Sequence, residues 1–458
     1  MINRKLDSFI EQHFSNSKSA LLLTGARQTG KTYAIRKYAS DKNLNLIEIN
    51  FHQDPNATSI FKNVQSVKDV LIRISAYSRQ KMIPHQTLIF FDEVQKCPET
   101  ITWIKFLVDE GSFIYALSGS LLGIELKNIR SLPVGYMAIE EVFPLDLQDF
   151  FLAVGVNQDI IKSLQDSWEN RTSVDPVIHE SLMNLVNLYL IVGGMPAVVQ
   201  TYLDTNDLNA VKAKQEEILT LYKKDISQYD PMSKLNINEI FDLIPSELNE
   251  KNKRFILKKL NEGARFSKYE NGFLWLKNAG VAIPTYNVEE PVAPLKLNEQ
   301  RNLFKLFQND VGLLSSQYEN GLALKILSGD ILVNFGSMYE NLVAQELCAH
   351  GHKMYYFNSK KQGELDFLLE MDNEIIPVEV KSGKNYERHN ALTNILSTKN
   401  YNIKRAWVLC NNNLHTRGNI MYIPIYMLMF ITKKTSLDAL IYKVDLTGLN
   451  GHIPTSEA

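Results

Sequence analysis

Cysteine is nearly absent: among 458 residues only Cys97, Cys348 and Cys410 occur. Three isolated thiols exclude a disulfide framework and paired metal-ligand spacing, and they fit a reducing compartment. Excess charge of either sign is lacking too. Lys plus Arg total 49 against 51 Asp plus Glu, a formal net charge of -2, which excludes a globally basic nucleic-acid-coating protein and leaves local basic faces open. Long apolar runs are missing as well. The most lipid-like stretch, Ile423 to Ile431, falls far short of the roughly 20 residues that span a bilayer and reads as a buried strand. At the N-terminal end, Leu6, Phe9, Ile10 and His13 share one side of a helix interrupted by Asp7, Glu11 and Gln12, which a secretion signal would not allow. The expectation is a cytoplasmic protein with no membrane partner.

What is present suffices for several cores. With 45% hydrophobic and 22% charged residues, a chain of this length predicts two to four domains. The stretch ALLLTGARQTGKTYAIRKYA reads as strand, glycine-bracketed loop and helix, with Gly25, Gly30, Lys31 and Thr32 matching G-x-x-x-x-G-K-[ST]. Such a loop (Gly25, Ala26, Arg27, Gln28, Thr29, Gly30, Lys31, Thr32) turns consecutive N–H groups toward phosphate oxygens. Lys31 then reaches the outer phosphates, and the Thr32 hydroxyl is a magnesium ligand. Further on, TLIFFDEVQKCPE reads as a buried strand ending in Asp92 and Glu93. Asp92 lies where a magnesium ligand is wanted, and Glu93 where the attacking water is deprotonated. A third strand, Phe113 to Ser120, ends in Ser118 and Ser120, which either face the terminal phosphate or cap the next helix. A strand at Leu46–Phe51 and an amphipathic helix at Val67–Tyr77 complete the alternation of an open α/β sheet.

These residues match a family. GARQTGKT, LIFFDEVQKCPE, ALSGSLL and EVFPLDLQDF, then YLIVGGMPAVV, YKKDISQY, YENLVAQEL, GELDFLL and PVEVKSG, resemble the predicted AAA-type ATPases of bacteria and archaea that carry a C-terminal conserved domain of unknown function. The resemblance runs from about Leu21 to Gly383 and implies an ATP- and magnesium-dependent hydrolase. The family's Gly-Arg dipeptide is here Gly135 followed by Tyr136, which leaves Arg130 or Arg27 as substitutes for its arginine. The resemblance also suggests that Gly193, Gly194 and Pro196 close a helical lid or linker, and it marks Asp225, whose plain reading is a helix-surface carboxylate.

From Asn238 to Asn287 the order helix, helix, turn, long helix, strand is that of a winged-helix module. Between Lys251 and Lys277, eight Lys or Arg face Glu262 and Glu270, a local charge of +6. Lys268, Tyr269 and Asn271 would begin a DNA recognition helix, unless the motif serves only for packing. In the last third, Asp366 and Glu379 are separated by twelve residues, a hairpin's worth, and Lys381 projects to the same side as Glu379. Two carboxylates and a lysine so placed resemble the PD-(D/E)xK restriction-endonuclease-like site, a magnesium-dependent phosphodiesterase with Glu346 or Glu340 as additional acid. Leu365 stands where that motif has proline. Solubility patterning of an edge strand, or a scaffold without cleavage, are the other readings.

The expected organisation is a P-loop ATPase domain with open parallel sheet (1-155), a helical lid or linker (156-235), a winged-helix-like module (236-295) and a restriction-endonuclease-like α/β domain (296-458). The expected function is an ATP-hydrolysing switch coupled to a module that binds DNA or RNA through residues 251-277 and the C-terminal domain. The alternative is a nucleotide-gated protein-interaction scaffold. A protein partner or homo-oligomer is compatible with either.

Overall fold

The computed structural model describes residues 2-120, 135-229, 234-250, 253-260, 266-318, 321-328, 335-372 and 374-433. Five strands, β1 (Ala20–Thr24), β2 (Asn45–Asn50), β3 (Thr87–Asp92), β4 (Ile114–Ser118) and β5 (Met137–Glu141), form an all-parallel sheet in the order β2-β3-β4-β1-β5. Parallel strands need cover on both faces, and the side-chain alternation supplies it. Leu21, Leu23, Leu88 and Phe90 pack with Ile10 of helix α1 (Lys5–Asn16) and Ile35 of α2 (Lys31–Asp41). Leu22, Ile89 and Phe91 face the other way, onto Val70 and Ile74 of α3 (Val67–Ser78) and Ile101 and Ile104 of α4 (Glu99–Glu110). The doubly wound order brings the C-terminal ends of β1, β3 and β4 to one edge, where such sheets hold ligands.

A helical layer follows: α5 (Leu147–Ala153), α6 (Gln158–Asn170), α7 (Pro176–Val192), α8 (Pro196–Thr205), α9 (Leu208–Tyr229), α10 (Lys234–Asn249) and α11 (Phe266–Asn278). Among the described residues no single helix is long and apolar enough to cross a membrane; α7 and α8 qualify only as a pair, bent by 117°.

The second sheet is mixed and has eight strands in the order β12-β13-β11-β10-β9-β8-β6-β7. They are β6 (Ala282–Val288), β7 (Glu299–Gln308), β8 (Tyr355–Ser359), β9 (Gly363–Met371), β10 (Glu374–Lys381), β11 (Ala406–Cys410), β12 (His415–Arg417) and β13 (Ile420–Pro424). Helices α12 (Val311–Ser316), α13 (Leu322–Leu327), α14 (Phe335–Ala349) and α15 (Asn390–Ser397) accompany it.

Two local expectations change. Ile423–Ile431 is strand only to Pro424, after which Ile425–Phe430 forms a 3-10 helix. Proline has no N–H to continue the ladder, and Ile425 to Met429 are all buried, so no face alternates with solvent. The helix expected after Lys251 is only the 3-10 turn Leu257–Lys259 among the described residues. There the Phe255 N–H bonds the Phe304 carbonyl at 2.9 Å and its ring stacks on Phe304 at 5.8 Å, so the chain follows the sheet instead of coiling. After Gly280, β6 and β7 pair as a hairpin, and β6 also pairs with β8, which makes the hairpin part of the large sheet.

Candidate functional site: a phosphate loop tied to the rest of the chain

Between β1 and α2 the chain must turn sharply without side-chain bulk. Gly25 has φ 109°, and a Cβ there would stand 2.4 Å from the Val142 carbonyl oxygen, so only glycine fits. The Thr29 hydroxyl closes the loop by donating to the Ala26 carbonyl at 2.9 Å. Lys31, 7% exposed, folds back to donate to the carbonyls of Gly25 (3.0 Å) and Ala26 (2.6 Å). Burial lowers its pKa to about 8, against the raising influence of Glu93 and Asp92.

Asp92 ends β3 and is buried. It accepts from Thr32 Oγ1 (3.2 Å), Asn50 Nδ2 (2.9 Å), the Glu93 N–H (3.1 Å) and Ser118 Oγ. All four donors are neutral, and burial raises its carboxyl above the usual range. A buried carboxylate beside a hydroxyl, bonded to no ammonium or guanidinium among the described residues, fits a hard divalent cation such as magnesium. Thr32 and Asp92 would hold it.

Glu93 occupies a left-handed conformation at φ 57°, a backbone state that costs of order 1–3 kcal/mol and gathers at functional sites. Its Oε2 accepts from Ser120 Oγ (3.2 Å) and from Gln95 Nε2. Ser118 therefore braces Asp92 and Ser120 braces Glu93; the helix that either was expected to cap, beginning at Leu121, lies outside the described residues. A cavity of about 560 Å³ opens over Gln28, Gly30, Lys31, Thr32, Asp92 and Glu93, with Pro196 and Gln200 of α8 on its far wall.

The loop's other contacts reach far along the chain. Arg27 Nε lies 3.4 Å from Ser120 Oγ, and its Nη1 is 2.7 Å from Asp225 of α9, an ion pair whose side chains are 24% and 8% exposed. Tyr222 of α9 donates to the Arg27 carbonyl at 3.2 Å, and Arg4 donates to the Thr29 carbonyl at 2.7 Å. The plain reading of Asp225 as a surface carboxylate is therefore replaced by a partly buried ion pair on the phosphate loop. Arg27 is engaged within the chain, Arg130 lies outside the described residues, and Tyr136 sits under Lys105 at 5.2 Å. The Gly193–Gly194 turn lies between the segment after β5 and α12. Gly194 accepts from the Leu145 N–H at 2.7 Å and donates to Asp310 at 2.6 Å, joining the ATPase segment to α12.

The C-terminal motif residues meet only in part. Pairing of β9 with β10 sets Asp366 beside Glu379, whose Oε1 is 2.6 Å from Lys381. Of the two helix acids, Glu340 joins them and Glu346 does not: Glu346 faces Leu147 and His350 instead. Two lysines that sequence reasoning missed complete the cluster. Lys253 pairs with Glu340, and the fully buried Lys305 lies 3.5 Å from Glu340 and 2.7 Å from Glu364. Burial, then Glu340 and Glu379, hold the Asp366 carboxyl well above the usual range. Glu340 thus has Lys253 and Lys305 within ion-pair distance, Glu364 has Lys305, and Glu379 has Lys381. Lys259 is likewise engaged, with Glu247 and Glu250, and Tyr269 is buried. The side chains of Lys251, Arg265 and Lys268 lie outside the described residues.

Residues 17–151 match a family model described as an AAA domain. Residues 183–323 and 335–428 match two domains of unknown function, DUF8612 and DUF4143. No curated protein matches the chain. Among solved structures, the Walker-type ATPase PABY2304 of Pyrococcus abyssi aligns at 13% identity and TM-score 0.40, over 69% of this chain and 96% of its own. The Aeropyrum pernix ORC1 protein in complex with DNA aligns at 17% identity and TM-score 0.26, over 71% and 91%. The chain thus carries an N-terminal AAA-type P-loop ATPase domain, followed by two segments that match domains of unknown function.

Proposed function

We propose that the chain is an ATP-hydrolysing switch whose nucleotide state is passed to a C-terminal module that contacts nucleic acid. The observation that carries this reading is the continuous path Glu93, Ser120, Arg27, Asp225, which links the water-activating carboxylate and the phosphate loop to α9. Lys31 and the loop amides hold the ATP phosphates, and Glu93 takes the proton of the attacking water. Magnesium at Thr32 and Asp92 supplies neutralising charge when bound. Phosphate binding draws Lys31 off the Gly25 and Ala26 carbonyls, and a loop whose outer side is bonded to Arg4, Tyr222 and Asp225 moves with those partners.

The domain reading goes with it: ATPase (1-155), helical lid (156-235), winged-helix-like module (236-295) and restriction-endonuclease-like domain (296-458). Support for the last is its order of a helix, three antiparallel strands, a second helix and a strand parallel to the third: α14, β8, β9, β10, α15 and β11. In this reading that domain binds without cleaving, with Glu379 held by Lys381 and Glu340 by Lys253 and Lys305.

A second reading, a nucleotide-gated protein-interaction scaffold, is favoured by one observation. Lys253 and Lys259 of the basic stretch are spent on internal carboxylates. Magnesium-dependent ATP turnover, measured with and without single-stranded and duplex DNA and RNA, separates the two. Stimulation by a nucleic acid supports the first reading, indifference to all of them the second, and no cleavage with magnesium or manganese is expected from either. Asp225→Asn removes one charge-assisted bond worth about 1.5–3 kcal/mol. If that loss falls on the transition state, kcat drops roughly tenfold or more. Unchanged turnover in Asp225→Asn would disconnect α9 from the site.

A further inference from the structure

Away from the nucleotide cavity, three groups converge where the ATPase segment meets the C-terminal helix. Asp146 is the N-cap of α5, Glu346 lies in the last turn of α14, and His350 directly follows that helix, its N–H bonded to the Glu346 carbonyl. One ligand atom from each lies within 4.8 Å of the others. His350 Nε2 is 3.4 Å from Asp146 Oδ2 and 3.9 Å from Glu346 Oε2. Bonds of about 2.0–2.2 Å at tetrahedral angles around zinc set ligand atoms about 3.3–3.5 Å apart, so a small inward shift closes the set.

Two further observations point to a cation. His350 Nδ1 lies 3.0 Å from the Ile431 carbonyl, which can only accept, so Nδ1 carries the hydrogen. In the neutral ring Nε2 then turns its lone pair toward two carboxylates, an arrangement that a bound cation relieves, and the carbonyl orients the imidazole as it does in many metal sites. Glu346 is fully buried: its Oε1 accepts the Leu147 N–H at 3.0 Å, while Oε2, the oxygen aimed at His350, has no hydrogen-bond partner among the described residues. The cation beside the set is the Lys5 ammonium, 2.6 Å from Asp146 Oδ2, on a side chain 43% exposed and so able to leave toward solvent.

We propose that Asp146, Glu346 and His350 bind a zinc-like divalent transition ion, for which Lys5 is the competing resident cation. The ion would fasten the end of the ATPase segment to α14, and the proposal does not depend on ATP hydrolysis. The test uses the full chain stripped of metal and titrated with cobalt(II), then with zinc(II) as competitor. The expected result is one cobalt(II) per chain, displaced by zinc, with a four-coordinate d–d spectrum and no thiolate charge-transfer band, which separates this site from the nearby Cys348. Glu346→Gln, which keeps the side-chain volume, should weaken binding about tenfold or more. Lys5→Met should tighten it by removing the competitor. Circular dichroism and nucleotide binding report whether each variant is folded. Failure of both the wild type and Lys5→Met to bind cobalt(II) overturns the proposal, and so does affinity unchanged in folded Glu346→Gln.

Discussion

Glu93→Gln should still bind ATP but hydrolyse it about 10²–10⁴-fold more slowly, the usual contribution of a positioned general base. The amide keeps the size of the carboxylate and its contacts with Ser120 and Gln95 but cannot take a proton from water. Lys31→Ala should act one step earlier. It deletes the buried ammonium beside the Gly25 and Ala26 carbonyls that pairs with the phosphates, so tight binding itself is lost. Equilibrium titration with nucleotide followed by single-turnover hydrolysis distinguishes the two effects. Full activity in Glu93→Gln would move the base elsewhere.

Lys305→Met should destabilise the fold by about 3–5 kcal/mol, the cost of stripping one partner from a buried ion pair. The lysine is fully buried between Glu340 and Glu364, which raise its pKa after burial has lowered it, and the variant leaves Glu340 to Lys253 alone. Denaturant unfolding at neutral pH checks the value. The penalty should shrink as acid protonates the orphaned carboxylates, and Glu340→Gln added to Lys305→Met should recover part of it. Wild-type stability in Lys305→Met would mean that the cluster is not the closed ion-pair core described here.

The nucleotide half was legible because its chemistry is local. A loop of eight residues sets the backbone at Gly25, and a continuously apolar β3 announces that its end, Asp92 and Glu93, faces a ligand edge. The bracing of that site was less visible. Gln95 stands two residues after Glu93 and was within reach of a local reading, but Asn50 and Ser118 meet Asp92 only through the strand order β2-β3-β4. Arg4, Tyr222 and Asp225 come from far along the chain, and no periodicity in the sequence foretells a partner 198 residues away, as Asp225 is from Arg27. The C-terminal motif illustrates the opposite difficulty. Spacing correctly paired Asp366 with Glu379, yet the meaning of the pair depends on Lys253 and Lys305, contributed by the chain after α10 and by β7. Glu340 and Glu346 were equivalent by sequence and separate only because α14 turns them toward different neighbours.

The central claim is that the nucleotide state is felt beyond the ATPase segment. Its most direct test is amide hydrogen exchange of the full chain, without nucleotide and with magnesium-ATP trapped by Glu93→Gln. The account predicts altered protection not only at residues 25-32 and 92-120 but also in Leu208–Tyr229, around Gly194 and Asp310, and in Phe335–Ala349. Changes confined to the loop and the end of β3, with α9 and α14 exchanging as before, would contradict it.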